Sequence, residues 1–135
     1  MNQPIANERI TSAELFAPPD YAHAVRSGQL VHTAGAVPVD ELGNLVGPRD
    51  HIVQARQVLA NLERQLAAAG VAPSDVVKTV VYVVAERREQ LVEVWEVVRA
   101  SPFAGAASTL LGVTYLGYEG QLVEIEAVAA KDEEA

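Results

Sequence analysis

The chain has 135 residues, of which 50% are hydrophobic and 21% are charged, a balance typical of one globular domain with its own core. The lack of cysteine excludes a disulfide framework, a thiolate metal site and a cysteine nucleophile. Ten basic and eighteen acidic residues give a net charge of −8, which disfavours nucleic acid as a partner. We find no secretion leader and no apolar run of membrane-spanning length, so we expect a soluble, cytoplasmic protein.

The N-terminal part of the chain predicts a short edge strand followed by a hairpin. Residues 1–19 are polar and contain three prolines, so we expect an extension that crosses the surface, with at most an edge strand near residues 9–11. Residues 21–25 and 30–34 read as two short strands, and Ser27-Gly28 supplies the turn between them. This pattern favours a β-hairpin.

The next segment predicts a loop and then the first helix. Residues 39–50 are rich in turn-forming residues and indicate an exposed loop. Over residues 52–69 apolar side chains recur at steps of three and four, Asp50 is a candidate N-cap, and Gly70 stands where a left-handed C-terminal residue belongs. We expect the polar positions of this helix to face water: Gln54, Gln57, Asn61 and Arg64.

The second half of the chain predicts three strands and one helix. Residues 76–84 are mostly β-branched and apolar on both faces, as in a central strand. A second amphipathic helix is expected over residues 87–100. Short strands are expected over residues 108–113 and 122–129, with the turn-rich connector 114–120 between them. The order predicts a single two-layer α+β domain with both helices on one face of the sheet, followed by an acidic tail.

This layout also predicts assembly. Two helices cover only one face of such a sheet, yet the strand at residues 76–84 carries apolar side chains on both faces. A sheet face this apolar is more often buried between subunits than left in water. We therefore expect a homo-oligomer whose sheets face inward.

The last strand carries two candidate functional carboxylates. Its residues alternate, so that Glu124 and Glu126 share one face at a separation of about 7 Å. Such a pair is more often a solvated strand face, and the alternative interpretation is that one glutamate lines a pocket. Lys78 and Tyr21 are further candidates, although a lysine on a strand is more often a charge at the sheet rim.

Histidine is the only strong metal ligand type besides carboxylate in this chain. His23, His32 and His51 do not have the spacing of a helical metal pair. Two of them could meet across the hairpin, but two histidines without a third ligand are poor evidence for zinc. We expect no metal site.

Four collinear blocks resemble the Rid family of reactive intermediate deaminases. They are Tyr21-Ala22-His23-Ala24-Val25, the run from Gly28 to Pro38 (GQLVHTAGAVP), Ala69-Gly70 with Asp75-Val76-Val77-Lys78-Thr79, and Leu122-Val123-Glu124-Ile125-Glu126-Ala127-Val128. The resemblance implies a chorismate-mutase-like α+β fold, a homotrimer, and three small-molecule pockets between adjacent subunits. It also implies hydrolysis of enamines and imines derived from amino acids to keto acids and ammonia, with no cofactor or metal.

The resemblance also assigns residues. Glu124 matches the carboxylate that positions or activates water, Tyr21 matches a tyrosine near the substrate, and Gly35 lies where a backbone N–H meets the substrate carboxylate. Ser108 departs from the pattern, because the deaminases carry there an arginine that clamps the substrate carboxylate. Beside it, Thr109 is a candidate hydrogen-bonding partner and Leu110 makes the pocket wall more apolar.

The loss of the arginine separates two hypotheses. A bidentate arginine–carboxylate contact comprises two charge-assisted hydrogen bonds of about 1.5–3 kcal/mol each, so its loss weakens 2-imino acid binding by a factor of hundreds or more. The first hypothesis is an enzyme that hydrolyses a small imine, enamine or related C–N compound lacking a carboxylate at the usual place. The second is a trimer that binds a small molecule or regulates without catalysis. Ordinary 2-imino acid deamination and ribonuclease activity are weaker alternatives.

Overall fold

A computed structural model describes residues 7–132 of the chain. The strands are β1 (Asn7–Ile10), β2 (Ala24–Ser27), β3 (Leu30–Thr33), β4 (Val76–Val84), β5 (Ala107–Val113) and β6 (Val123–Ala130). The helices are α1 (His51–Ala68) and α2 (Arg88–Arg99), with one turn of 3₁₀ helix at Pro73–Asp75. All the predicted elements are present, with ends displaced by at most three residues.

The strands form one mixed sheet in the order β1-β2-β3-β6-β4-β5. Strands β4 and β5 are parallel and are connected through α2, whereas every other neighbouring pair is antiparallel. Helix α1 packs on β3 and β6, and α2 packs on β4 and β5. The predicted two-layer α+β arrangement, with both helices on one face of the sheet, is therefore confirmed.

Local sequence explains where the first helix and the hairpin begin and end. The Asp50 carboxylate accepts a hydrogen bond from the Val53 N–H at 3.0 Å and caps α1, as predicted. Gly70 has a φ of +78°, so it ends the helix in the left-handed conformation that glycine adopts without steric cost. The hairpin turn lies at Gly28-Gln29, one residue later than the prediction, and Gly28 has a φ of +61°.

The core lies between the helices and one face of the sheet. Alternate residues of the two central strands point into it and are fully buried, among them Val81, Val83, Val123 and Ile125. The first helix contributes Leu62 and Leu66, and the second contributes Val94 and Val98. These residues follow the predicted periods of two in strands and of three to four in helices.

The prediction that Gln54 faces water is wrong. Its side chain is 0% exposed and makes hydrogen bonds to the backbone of the two loops that cover this side of α1. The amide nitrogen donates to the carbonyls of Gly47 and Gly120, and the amide oxygen accepts from the Leu122 N–H at 2.7 Å. The backbone N–H and C=O groups of these loops have no strand partner, so the side-chain amide of Gln54 forms their hydrogen bonds.

The same prediction is wrong for Asn61, which is 4% exposed. Its amide nitrogen donates to the carbonyls of Val37 and Val39, at 2.8 and 2.9 Å. Gln57 is half-buried and Arg64 is exposed. A prediction based on polarity alone therefore fails on the side of α1 that packs against the loop at residues 39–50.

The face of the sheet opposite the helices, which we call the open face, is largely apolar. It carries Val80, Tyr82, Val84, Glu124, Glu126 and Val128, all of them half-buried in the isolated chain. The Tyr82 hydroxyl donates to the Glu126 carboxylate. This hydrogen bond, together with partial burial and the negative charge of Glu126 and Glu124, raises the pKa of Tyr82 to about 12. Within residues 7–132, neither helix is long and apolar enough to cross a membrane.

Candidate active site

Glu124 lies on the open face of β6, opposite Tyr82 of β4. Its side chain is half-buried, and its Oε1 accepts a hydrogen bond from the side-chain amide of Gln121 at 3.0 Å. One carboxylate oxygen is thus engaged by the protein. The arrangement presents a partly sheltered carboxylate at the surface of the sheet.

Gly35 packs directly against this carboxylate. Its neighbour Ala36 pairs with Ile125 through two backbone hydrogen bonds of 2.7 and 3.2 Å, which brings Gly35 beside Glu124. A Cβ added to Gly35 would lie 2.1 Å from Glu124 Oε2, so any side chain at this position requires the carboxylate to move. Within residues 7–132, the Gly35 N–H makes no backbone hydrogen bond. The role that the family resemblance implies for this N–H, binding the substrate carboxylate, stays a prediction.

Tyr21 completes the group. Burial raises the pKa of the Tyr21 hydroxyl, and the negative charge of Glu124, together with that of Tyr118 once Tyr118 is ionised, acts in the same direction. Tyr21 therefore keeps its proton at neutral pH and is able to donate a hydrogen bond. The structure thus brings together three residues that the sequence singled out, Tyr21, Gly35 and Glu124.

A small cavity adjoins the site. Its volume of about 20 Å³ is enough for one water molecule. It is lined by Tyr21, Gly35 and Tyr118 together with apolar residues of the N-terminal segment and polar residues of α1. Neither Tyr118 nor Gln121 was singled out from the sequence, because both lie at the end of an irregular connector that has no periodic pattern.

His23 holds the N-terminal segment over this cavity. It is buried, its Nδ1 accepts from the Ser12 N–H at 3.0 Å, and its Nε2 lies 3.0 Å from the Phe16 carbonyl. Because Nδ1 accepts, the proton resides on Nε2 and is donated to Phe16. The Tyr21 ring meets the His23 ring edge-on at 5.4 Å. His23 therefore helps to fix Tyr21.

The other two histidines lie elsewhere. His32 is exposed on β3, and His51 contacts the Val84 carbonyl at 2.8 Å from the start of α1. Among residues 7–132, histidine and carboxylate side chains form no group of three that could hold a metal ion.

Ser108 lies apart from this group within one chain. Its hydroxyl accepts a hydrogen bond from the Thr79 hydroxyl at 2.8 Å, on the helix side of the sheet, whereas Glu124 is on the open face. The strand pairing places Ser108 three residues from the row of Glu124. That offset corresponds to about 10 Å along the strands and about 10 Å across them.

The two residues that follow Ser108 lie on opposite faces of the sheet. Thr109 lies on the open face, in register with Val80, and accepts a hydrogen bond from the Lys78 ammonium at 2.7 Å. Leu110 is half-buried and packs against the core on the helix side. Within one chain, therefore, neither residue meets Tyr21 or Gly35.

Comparison with known proteins identifies the family. The family model described as Endoribonuclease L-PSP matches residues 11–131. A RutC family protein of Pyrococcus horikoshii is 31% identical over 117 residues, which are 83% of this chain and 87% of that protein. The crystal structure of a Rid family protein of unknown function, YyfA from Yersinia pestis, superposes with a TM-score of 0.82 over 93% of this chain and 99% of that chain, at 28% identity. The chain belongs to the Rid family.

Three further proteins are similar to this chain. A 2-iminobutanoate/2-iminopropanoate deaminase of Salmonella typhimurium is 39% identical over 83 residues, 62% of this chain and 61% of the deaminase. The YjgF gene product of Escherichia coli superposes with a TM-score of 0.79 over 91% of this chain, at 29% identity. A RutC family protein of Haemophilus influenzae is 43% identical, but that match spans only about half of each chain (47% and 48%).

Proposed function

We propose that this Rid protein hydrolyses a small imine or enamine, with Glu124 activating the attacking water. The observation that carries the proposal is the contact between the Glu124 carboxylate and Gly35, with Tyr21 and Gly35 lining the same small cavity. A carboxylate held in a partly sheltered place is suited to general base catalysis. The deaminases among the relatives support the same class of reaction.

The chemistry requires only water and proton transfers. Glu124 takes a proton from water as the oxygen bonds to the imine carbon, and the electron pair of the C=N bond moves to nitrogen. Glu124 gives this proton to the nitrogen, then takes the proton of the new hydroxyl and passes it to the nitrogen as well, so that ammonia leaves while the carbonyl forms. An enamine first takes up a proton on carbon to become the imine. Tyr21 and the Gly35 N–H donate hydrogen bonds that orient the substrate.

The substrate we propose lacks a carboxylate at the usual place. Ser108 stands at the position of the family arginine, and a serine hydroxyl that already accepts from Thr79 cannot replace a guanidinium. The net charge of −8 further disfavours anionic substrates, including RNA. A neutral or cationic imine matches these features better than a 2-imino acid does.

We place the active site between subunits of a homotrimer. Ser108 and Glu124 lie on opposite faces of the same sheet, so a pocket that uses both takes them from different subunits. The apolar open face gives such an assembly a surface to bury, as the sequence predicted. A trimer of this 14.4 kDa chain has a mass of about 43 kDa.

A charge on the open face tests the assembly. Val80→Glu places a second carboxylate beside Glu126, its partner in register, and is expected to convert the trimer to a folded monomer because buried like charges are costly. Light scattering at micromolar concentration measures the mass. The control is Val92→Glu, at a position of α2 that is 52% exposed, which is expected to leave the trimer intact. A monomeric wild-type protein would contradict the proposed intersubunit pocket.

Restoring the arginine tests the substrate class. Ser108→Arg is expected to raise kcat/KM for 2-iminopropanoate by about 100-fold relative to a carboxylate-free imine, because it restores two charge-assisted hydrogen bonds. The imines are generated in place from alanine by an amino acid oxidase and from ethylamine by an amine oxidase, and carbonyl product is measured above the uncatalysed rate. Ser108→Gln, long but uncharged, is the control. Equal effects of arginine and glutamine would contradict the role of position 108.

The competing hypothesis of a non-catalytic binding protein rests on the same serine. It predicts that wild type and Ser108→Arg are both inactive with either imine, although both are folded trimers. That outcome would leave Glu124 and Gly35 as parts of a ligand-binding site rather than a hydrolytic one.

A further inference from the structure

Gln121 is the buried polar side chain that directly contacts the proposed general base. It precedes β6 and is 3% exposed. Its amide nitrogen donates to Glu124 Oε1 and to the Val123 carbonyl, both at 3.0 Å, and its amide oxygen accepts from the Tyr118 N–H at 3.1 Å. Both ends of the amide therefore have partners.

These partners fix the orientation of the amide. A backbone N–H requires an acceptor, and a carboxylate oxygen and a backbone carbonyl both require a donor. A flipped amide would place its oxygen against two acceptors and its nitrogen against a donor. The amide nitrogen of Gln121 therefore faces Glu124, and no other orientation satisfies the three groups.

The backbone around Gln121 is held equally firmly. Its own N–H donates to the Tyr118 carbonyl at 3.0 Å, which closes a turn at the end of the connector. On either side, Gln54 binds the Gly120 carbonyl and the Leu122 N–H. The donor to Glu124 thus comes from a rigid part of the structure rather than from a mobile side chain.

We propose that Gln121 is a positioning residue that determines which oxygen of Glu124 holds the water. Because Gln121 engages Oε1, the oxygen left for water is Oε2, the atom that lies against Gly35. Water on Oε2 is then on the side of the carboxylate that faces Gly35, where the substrate is expected. This inference rests on the proposed function, since it concerns the same carboxylate.

The variant Gln121→Glu tests this role. It keeps the size of the side chain and an oxygen for the Tyr118 N–H, but it replaces the donor to Glu124 with a carboxylate that repels Glu124. The lost hydrogen bond and this repulsion together are expected to lower kcat for imine hydrolysis by about 10- to 100-fold, with KM changed less than about twofold. A general loss of folding would instead lower the active fraction, which thermal unfolding of the same sample measures.

The matched control is Gln57→Glu. Gln57 also donates its amide nitrogen to a side-chain oxygen at 3.0 Å, that of Asn61 on α1, and is half-buried. This variant is expected to keep the wild-type kcat. An unchanged kcat in folded Gln121→Glu, or an equal loss in both variants, would overturn the positioning role.

A second readout does not depend on the substrate. The side-chain amide signal of Gln121, assigned in a ¹⁵N–¹H spectrum by its absence in Gln121→Leu, is expected to shift in Glu124→Leu, which removes the acceptor. An unchanged signal would overturn the inference even if the enzyme is active. A shifted signal in a protein without hydrolytic activity would overturn the proposed function alone, and leave Gln121 as the residue that orients Glu124 toward a bound ligand.

Discussion

Replacing Glu124 with glutamine is expected to lower kcat for imine hydrolysis by about 10²- to 10⁴-fold, the usual contribution of a general base. The amide has the shape of the carboxylate and its oxygen still accepts from Gln121, so the fold is retained. What is lost is the ability to take a proton from water. Initial rates of carbonyl product formation, measured with saturating imine, give this ratio.

Glu126→Gln is the control for this experiment. Glu126 lies two residues further along the same face of β6 and is engaged by the Tyr82 hydroxyl. An amide oxygen at this position still accepts that hydrogen bond, so kcat is expected to change by less than about threefold. Equal losses in Glu124→Gln and Glu126→Gln would assign the effect to the charge of the sheet face rather than to catalysis.

The substitution Gly35→Ala is expected to lower kcat by about 100-fold without unfolding the protein. The new Cβ would lie 2.1 Å from Glu124 Oε2 and 2.6 Å from its carboxyl carbon, so the carboxylate must move. The hydrogen bond from Gln121 opposes that movement. Displacements of about 1 Å at reacting groups cost roughly this factor in rate.

Gly105→Ala provides the comparison, because a Cβ at that position meets no atom within 4 Å. It is expected to keep the wild-type kcat. A crystal structure of Gly35→Ala is expected to show the Glu124 carboxylate rotated away from residue 35 and the hydrogen bond to Gln121 broken. Wild-type activity with an undisplaced carboxylate would contradict the assignment of Oε2 as the reactive oxygen.

Periodic patterns explain how much of the fold could be predicted from the sequence. The steps of three and four in α1 and the alternation in β6 reflect burial against one neighbouring layer, and both elements are where the patterns indicated. Gln54 and Asn61 were misjudged because their partners are backbone groups of distant loops. The local sequence of α1 contains no pattern that predicts a loop packed over that side of the helix.

In the candidate site, too, some residues could be predicted from the sequence and others required the structure. Glu124, Tyr21 and Gly35 were singled out by family resemblance, and the structure brings them together. Gln121 was missed, since its role depends on a turn at the end of an irregular connector. The position of Ser108 relative to Glu124 also required the structure, because strand order and register determine which face each residue occupies, and neither follows from residue type.

The most direct test is the rate of carbonyl product formation from a carboxylate-free imine, with wild-type protein and with Glu124→Gln at equal concentrations of trimer. We predict that wild type accelerates product formation above the uncatalysed rate and that Glu124→Gln is slower than wild type by about 10²- to 10⁴-fold. Equal rates with both proteins would contradict the role of Glu124. If wild type is a folded trimer but accelerates the hydrolysis of neither this imine nor 2-iminopropanoate, hydrolysis as the function is contradicted.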